Sequence, residues 1–569
     1  MLGAVACGKA ELGGSAGRAG SAGSVGSGIG GDSASGSAGR PDANGGDSAH
    51  AGGNAGGDTD GESGAAGAES ASLAPAPNLR RLTANEYAFT VGDVLGTAQK
   101  PDFSAFGTEV DGFDNNAAAN GVSDPLYYRY LETAESLADE VFASDVLRPT
   151  IVTCAQADDL SCVRQVISET GLRLFRRPLL EEELVGYQHA YTRARARTLS
   201  HEGALKEVLI ALLASAQFLY RMEFVPPQQG TQPISPYDLA ARLSYLLWSS
   251  APDHALLDAA QQGVLSGDAQ LAATVERLLG DPKSQRFVQG FAGQWLGVRR
   301  LTRAFFDPKT VPEWSPDMAN AAAYELQAFF SELLGPGQDW LGFLKSPAHF
   351  VNIQLAPLYN LSVTDGTQRV ELSGVDRRGF LGLVGFLAQT SGSSRSSPSA
   401  RGELILRDLL CESLPAPPGD MPTFSDNEDT IRAYLNGLSP ECTSCHVQFD
   451  GFGLALENYD AIGRYRTWYA DFNTIDAHAT LPVSVSTAGA STSGVTGISE
   501  ALANTPAFTS CTAQKLYTYG FGRAFSDSER GNVQALAQQW RSGSLTMRDL
   551  ILELVQSRAF RARSDGGSL

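Results

Sequence analysis

The chain has 569 residues, a net charge of −20 and a sequence pI of about 4.8, so it can bury several domains and is strongly acidic. No cluster of Lys and Arg forms a nucleic-acid footprint, which excludes DNA and RNA binding. No run of 18 apolar residues occurs, so no stretch reads as a membrane-spanning helix.

Met1-Leu-Gly-Ala-Val-Ala-Cys7 looks like the tail of a bacterial lipoprotein signal, with small residues before a lipidatable cysteine. The basic n-region and most of the apolar h-region are missing, so the reading frame is expected to open upstream. The alternative is an incidental cysteine in a tail. Residues 8–78 are Gly, Ser, Ala and Asp with almost no large apolar side chain. Such a segment cannot repay the entropy of ordering and is expected to be disordered. As flexible coil it spans roughly 45–50 Å. Behind a lipidated Cys7 it would tether a domain to a membrane through the lipid alone.

Folded sequence is expected from Leu79. Thr83 and Glu86 form a capping box, which predicts a helix to about Leu95 that stops at Gly96. In Asp111-Gly-Phe-Asp-Asn-Asn-Ala117 the calcium-loop spacing is absent, and Asx-turns capping the next helix are expected. The next helix is expected over 124–143. Cys154 and Cys162 bracket a polar turn and read as a local disulfide in an exported chain. In Phe175-Arg-Arg-Pro178 the proline is expected to stop one helix and sit at the first position of another. Arg176 and Arg177 read as partners for Glu181–Glu183 rather than as an anion clamp. Ser215, Phe218 and Arg221 end an apolar helix, and Ser557, Phe560 and Arg563 repeat the ending near the C-terminus. The two copies suggest a duplicated packing element with Phe in the core and Arg as a clamp. Residues 235–362 read as a helical bundle whose aromatics, Trp248 and Trp295 among them, belong to the core. A Ser-rich turn at 391–399 separates two apolar helices. One short hairpin is expected within 467–498, and helices fill 499–563.

The most specific stretch is Cys442-Thr-Ser-Cys445-His446, the C-x-x-C-H pattern of covalent c-type haem attachment. Two thiols three positions apart can each add across a vinyl group of one porphyrin, and the adjacent imidazole can bind its iron. With 7 Cys and 7 His in the chain, chance supplies only about 0.001 such matches. Two other readings stand beside haem: a short-loop disulfide or redox pair, and half of a metal site. No second C-x-x-C or H-x₃₋₅-H completes a zinc site.

Downstream of the motif, the set Asp450, Gly453 and Leu456-Glu-Asn-Tyr-Asp-Ala-Ile-Gly-Arg-Tyr-Arg466 resembles the signature of the planctomycete-type cytochrome-like domain. That domain occurs in large planctomycete and myxobacterial proteins, flanked by further domains of unknown function. The family has Pro where Gly451 stands, which is expected to loosen a turn. The segments around Arg81-Leu-Thr, Gly112-Phe-Asp-Asn-Asn-Ala, Phe175-Arg-Arg-Pro-Leu, Phe350-Val-Asn and Tyr517 to Arg523 also resemble the family. The resemblance implies a mainly α, multi-domain chain of helical bundles with a cytochrome-c-like helical segment. Its parts are the signal remnant and tether at 1–78 and helical domains at 79–143, 144–226 and 227–372. The cytochrome-like domain then covers 373–480, and a C-terminal helical domain 481–569. Cys411 and Cys511 resemble cysteines of myxobacterial relatives. They are also the two left once Cys7, Cys154, Cys162, Cys442 and Cys445 are assigned, so a 411–511 disulfide is expected.

The leading functional expectation is an exported c-type cytochrome-like lipoprotein, periplasmic or on the cell surface of a Gram-negative-type bacterium. One haem c would be joined to Cys442 and Cys445, with His446 as proximal iron ligand and an unidentified redox partner. Met421, His478 and Met547 are sixth-ligand candidates by type, with His478 first because it is nearest downstream. The rival expectation is a haem-free exported helical binding or scaffold module stapled by disulfides. A hydrolase has no supporting G-x-S-x-G, H-E-x-x-H or Walker pattern.

Overall fold

The computed structural model describes residues 79–103, 109–119, 121–153, 159–197, 199–223, 231–414, 431–469, 473–482, 485, 490–543 and 545–564. The expected tether at 1–78, Cys7, Cys154 and Met421 lie outside them. The described part is mainly helical, as the resemblance implied. None of its helices is long and apolar enough to cross a membrane.

The first helix, Ala84–Leu95, obeys its local sequence. Thr83 accepts from the Glu86 amide, Glu86 accepts from the Thr83 amide, and Gly96 ends the helix at φ 75°. The next long helix is Asp124–Ala143, and between the two the Asp111 loop serves as an anchor. Asn116 Oδ1 accepts from the Ala118 amide, Asn115 donates to the Tyr519 carbonyl at 2.9 Å, and Asp114 pairs with Arg299 at 2.7 Å. Among the described residues no three His, Cys, Asp or Glu side chains gather around a metal position.

Two hydrophobic cores result. One is built from Leu82 through Leu219, completed by Tyr245 and Ala251. The other runs from Ile234 to Phe560 and takes in Phe113. Trp248, Trp295 and Trp340 lie in this second core, so these aromatics are packing residues. The Trp295 and Phe343 rings stack at 5.8 Å, and the Trp340 indole donates to Thr512 at 3.2 Å.

The duplicated ending is a helix–turn–strand device. The helix His201–Leu213 stops before Ser215, whose hydroxyl accepts from the Phe218 amide to start the short helix Ala216–Leu219. Ser557 does the same for Phe560 after Met547–Gln556. Both phenylalanines are fully buried. Each copy then enters a short strand. With β1 (Arg80–Arg81), β2 (Tyr220–Arg221), β3 (Thr231–Pro233) and β8 (Ala562–Ser564), β1 pairs with β2 and β3 with β8, both antiparallel. Arg221 meets the Glu86 carboxylate at 3.4 Å, and Arg563 donates to the Glu223 carbonyl.

Three expectations need correction. Pro178 does not open a helix: Leu160–Phe175 ends with Arg176 in the left-handed region at φ 62°, and Glu181–Ala196 starts three residues after the proline. Arg177 pairs with Glu183 at 2.9 Å, but Arg176 turns inward and donates to the carbonyls of Gln217, Phe218 and Tyr220. The region 235–362 is not wholly helical either. Phe350-Val351-Asn352 lies in β4 (Ala348–Asn352), which pairs antiparallel with β5 (Thr367–Glu371). The hairpin expected near 467–498 forms from β6 (His478–Thr480) and β7 (Ser491–Ser493).

Behind β4 lies a buried polar cluster. Glu325 has no exposure and accepts from the Tyr359 hydroxyl and the Val384 amide. Burial pushes its carboxyl up to about 7. His349, equally buried, packs on the Tyr359 ring. Burial, reinforced by the Arg377 charge, pushes its imidazole down to about 3.

Candidate functional site

The C-x-x-C-H residues form one short helix, Pro440–His446. Ser439 caps it and accepts from the Cys442 amide, and Pro440 sits where no amide is needed. Cys442 and Cys445 are three apart on this helix and so share a side of it. They stand as thiols, Cys442 buried and Cys445 half-buried, and are not bonded to each other.

His446 ends the helix with its side chain 6% exposed, and Nδ1 lies 2.8 Å from Asp450 Oδ2. Asp450 is 8% exposed, and its other oxygen accepts from the Ser399 hydroxyl at 2.8 Å. The Phe449 ring lies 4.9 Å from the imidazole. No hydrogen bond joins Nε2 to the described residues.

Close packing of two helices brings Ser399 to Asp450. Pro398–Leu404 and Asp450–Leu454 touch backbone to backbone. A Cβ on Gly453 would fall 1.8 Å from the Pro398 carbonyl oxygen, and one on Gly402 would fall 1.9 Å from that of Phe449. Gly451, the departure from the family pattern, does not loosen a turn. It admits the Thr480 carbonyl of β6, which a Cβ would meet at 2.1 Å.

The rest of the signature is scaffold. Glu457, fully buried, accepts from Ser396 at 3.0 Å and Tyr469 at 3.2 Å, with Arg466 at 3.4 Å. Arg401 has no exposure and donates to the carbonyls of Leu456, Tyr459 and Asp460, and burial pulls its guanidinium down to about 10. Asp460 folds its loop by accepting from the amides of Ile462 and Arg464. Arg377 joins this loop to the preceding segment. It donates to the Leu358 and Gly463 carbonyls and stacks on Tyr359 at 4.0 Å and Tyr459 at 5.0 Å.

The remaining site residues spread over the fold. His478 lies on β6 with its ring largely exposed, and Nδ1 is 3.2 Å from Asp476. Met547 is buried at the start of its helix. Cys411 and Cys511 form a disulfide with an S–S length of 2.05 Å. Cys162 is disulfide-bonded, while Cys154 lies outside the described residues. Sequence alone assigns no role to Asp450 or Ser399. The spacing His446-x-x-x-Asp450 is the signal available for the first, and nothing local marks the second.

Five families match successive parts of the chain, and all are described as proteins of unknown function. They are DUF1587 at 80–143, DUF1595 at 162–223, DUF1592 at 234–361, DUF1588 at 377–469 and DUF1585 at 488–560. Together they define a multi-domain protein of a family of unknown function, with the C-x-x-C-H helix inside the DUF1588 match. No curated protein and no solved structure matches.

Proposed function

We propose that this chain is a c-type cytochrome-like protein. Cys442 and Cys445 carry thioether links to one haem c, and His446 ligates its iron through Nε2. The observation that carries the reading is the state of the three side chains. The thiols are unbridged on one helix, and the neighbouring imidazole has Nδ1 engaged by Asp450 while Nε2 has no hydrogen bond to the described residues. These donors fit a c-type haem, because its two sulfur bonds lie at the porphyrin edge and only the imidazole meets the iron. A zinc site would need all its donors to converge, and no such group of three occurs among the described residues. A haem held there supplies one-electron transfer. Cys442, Cys445 and His446 would hold it, and Ser399, Asp450 and Phe449 would orient the imidazole. His478 on β6 is kept as the first candidate for the opposite face. The protein is proposed to be exported and tethered through Cys7, and to exchange electrons with a partner protein.

The test is a pyridine haemochrome spectrum of protein made in a host with the haem c maturation system. Covalent haem is expected in the wild type and is lost in Cys442→Ala/Cys445→Ala. Wild-type protein without covalent haem, with Cys442 joined to Cys445 in a non-reducing peptide map, would establish the haem-free scaffold instead.

A further inference from the structure

We infer that Asp450 is the positioning residue of this site: it holds the Nδ1 proton of His446, so that Nε2 presents its lone pair and the imidazole becomes an electron-rich ligand. That the acceptor is iron rests on the function proposed above; the orientation of the imidazole does not.

The geometry is that of a fixed charge-assisted hydrogen bond. The 2.8 Å contact lies between two buried side chains, so water does not compete for it. Asp450 cannot swing away, because Ser399 holds its second oxygen at 2.8 Å. Its own short helix is locked by packing: Gly451, next to it, lies against the Thr480 carbonyl, and Gly453 against that of Pro398. A neutral imidazole has one N–H. A carboxylate accepts only, so that hydrogen must sit on Nδ1. Metal-bound histidines commonly donate their second N–H in this way. A carboxylate partner fixes the tautomer and raises ligand basicity.

An electron-rich ligand favours the more highly charged, oxidised metal. The carboxylate therefore lowers the reduction potential below that of the same site with a neutral partner for Nδ1. The site so built is a weaker oxidant than the same site with a neutral partner for Nδ1. Ser399 supports this by keeping Asp450 in place.

Two measurements on the full chain test the inference. In haem-free protein with 15N-labelled histidine, in mildly alkaline buffer, the His446 shifts should show Nδ1 protonated and Nε2 bare. Asp450→Ala should shift the population toward the other tautomer. In haem-loaded protein, Asp450→Asn and Asp450→Ala should retain covalent haem with a midpoint potential above wild type, and Ser399→Ala should shift it less in the same direction. Asp450→Asn preserves shape and carries the test if the alanine variant does not fold. Unchanged tautomer and potential in variants that keep haem would overturn the role of Asp450 and leave the haem reading standing. If the wild type takes no haem, the haem reading falls and the nitrogen shifts decide Asp450 alone. Nδ1 protonation lost in the alanine variant upholds its positioning role, and an unaltered tautomer overturns it.

Discussion

Arg401 and Glu457 lie 3.6 Å apart with almost no exposure on either side chain, and neither is satisfied by the other alone. Arg401 donates to three carbonyls and to the Ser391 hydroxyl, while Glu457 collects Ser396, Arg466 and Tyr469. Removing one charge strands the other. Glu457→Gln or Arg401→Met should each cost about 3–5 kcal/mol in denaturant unfolding. The double variant should cost less than the sum by at least about 1 kcal/mol, and strict additivity would show that the two charges do not cooperate.

The Glu325 and His349 cluster gives opposing pH dependences. The carboxyl rises from 4.5 to about 7 on folding, so its contribution to stability falls as pH rises through that window. The imidazole drops from 6.5 to about 3, so its contribution falls as pH is lowered through that window. His349→Phe should therefore gain stability relative to wild type as pH falls below 6.5. Glu325→Gln should gain on wild type as pH rises from 4.5 to about 7. Each shift is a few kcal/mol on the order of 1.4 per pH unit, read from urea midpoints across a pH series. A constant offset at every pH would contradict the assignment.

Glycines give a pair of predictions with opposite sign. Gly453→Ala would drive a methyl into the Pro398 carbonyl and should destabilise by about 3 kcal/mol or more. Gly186 is exposed within the helix Glu181–Ala196 and has open space around its Cβ position. Gly186→Ala should stabilise by roughly 1 kcal/mol. Thermal melts of the two variants distinguish the cases.

The Cys411–Cys511 bond closes a loop over a sequence separation of 100. Cys411→Ala/Cys511→Ala should lose about 2–5 kcal/mol of stability. The haem proposed at Cys442 and Cys445 should stay attached in that variant, as read by the pyridine haemochrome. Loss of attachment at full folding would tie the staple to the site.

Local chemistry made part of this structure readable. The Thr83 and Glu86 box and Gly96 act within one turn, so their residues announce the helix. The repeated Ser-x-x-Phe likewise caps its own short helix. The inward course of Arg176 was hidden, because its partners are carbonyls some forty residues away. The strand at Phe350 was hidden for the same reason: it exists through pairing with Thr367–Glu371. At the site, Cys442, Cys445 and His446 were plain from spacing, and Asp450 stood in the family signature without a role. Ser399 reaches it through a helix contact that needs Gly402 and Gly453 together, a condition no single stretch encodes.

The two strand pairs set an order of assembly as the chain emerges from the ribosome. The Leu82–Leu219 core has its latch, β1 with β2, in hand once Arg221 is made, and its last members arrive with Tyr245 and Ala251. The second core waits, because Thr231 at its entrance pairs with Ser564 at the far end. A chain truncated just before Ala562 should thus keep a finished first half and an unlatched second half. Limited proteolysis would reveal that asymmetry as selective cutting beyond Ile234.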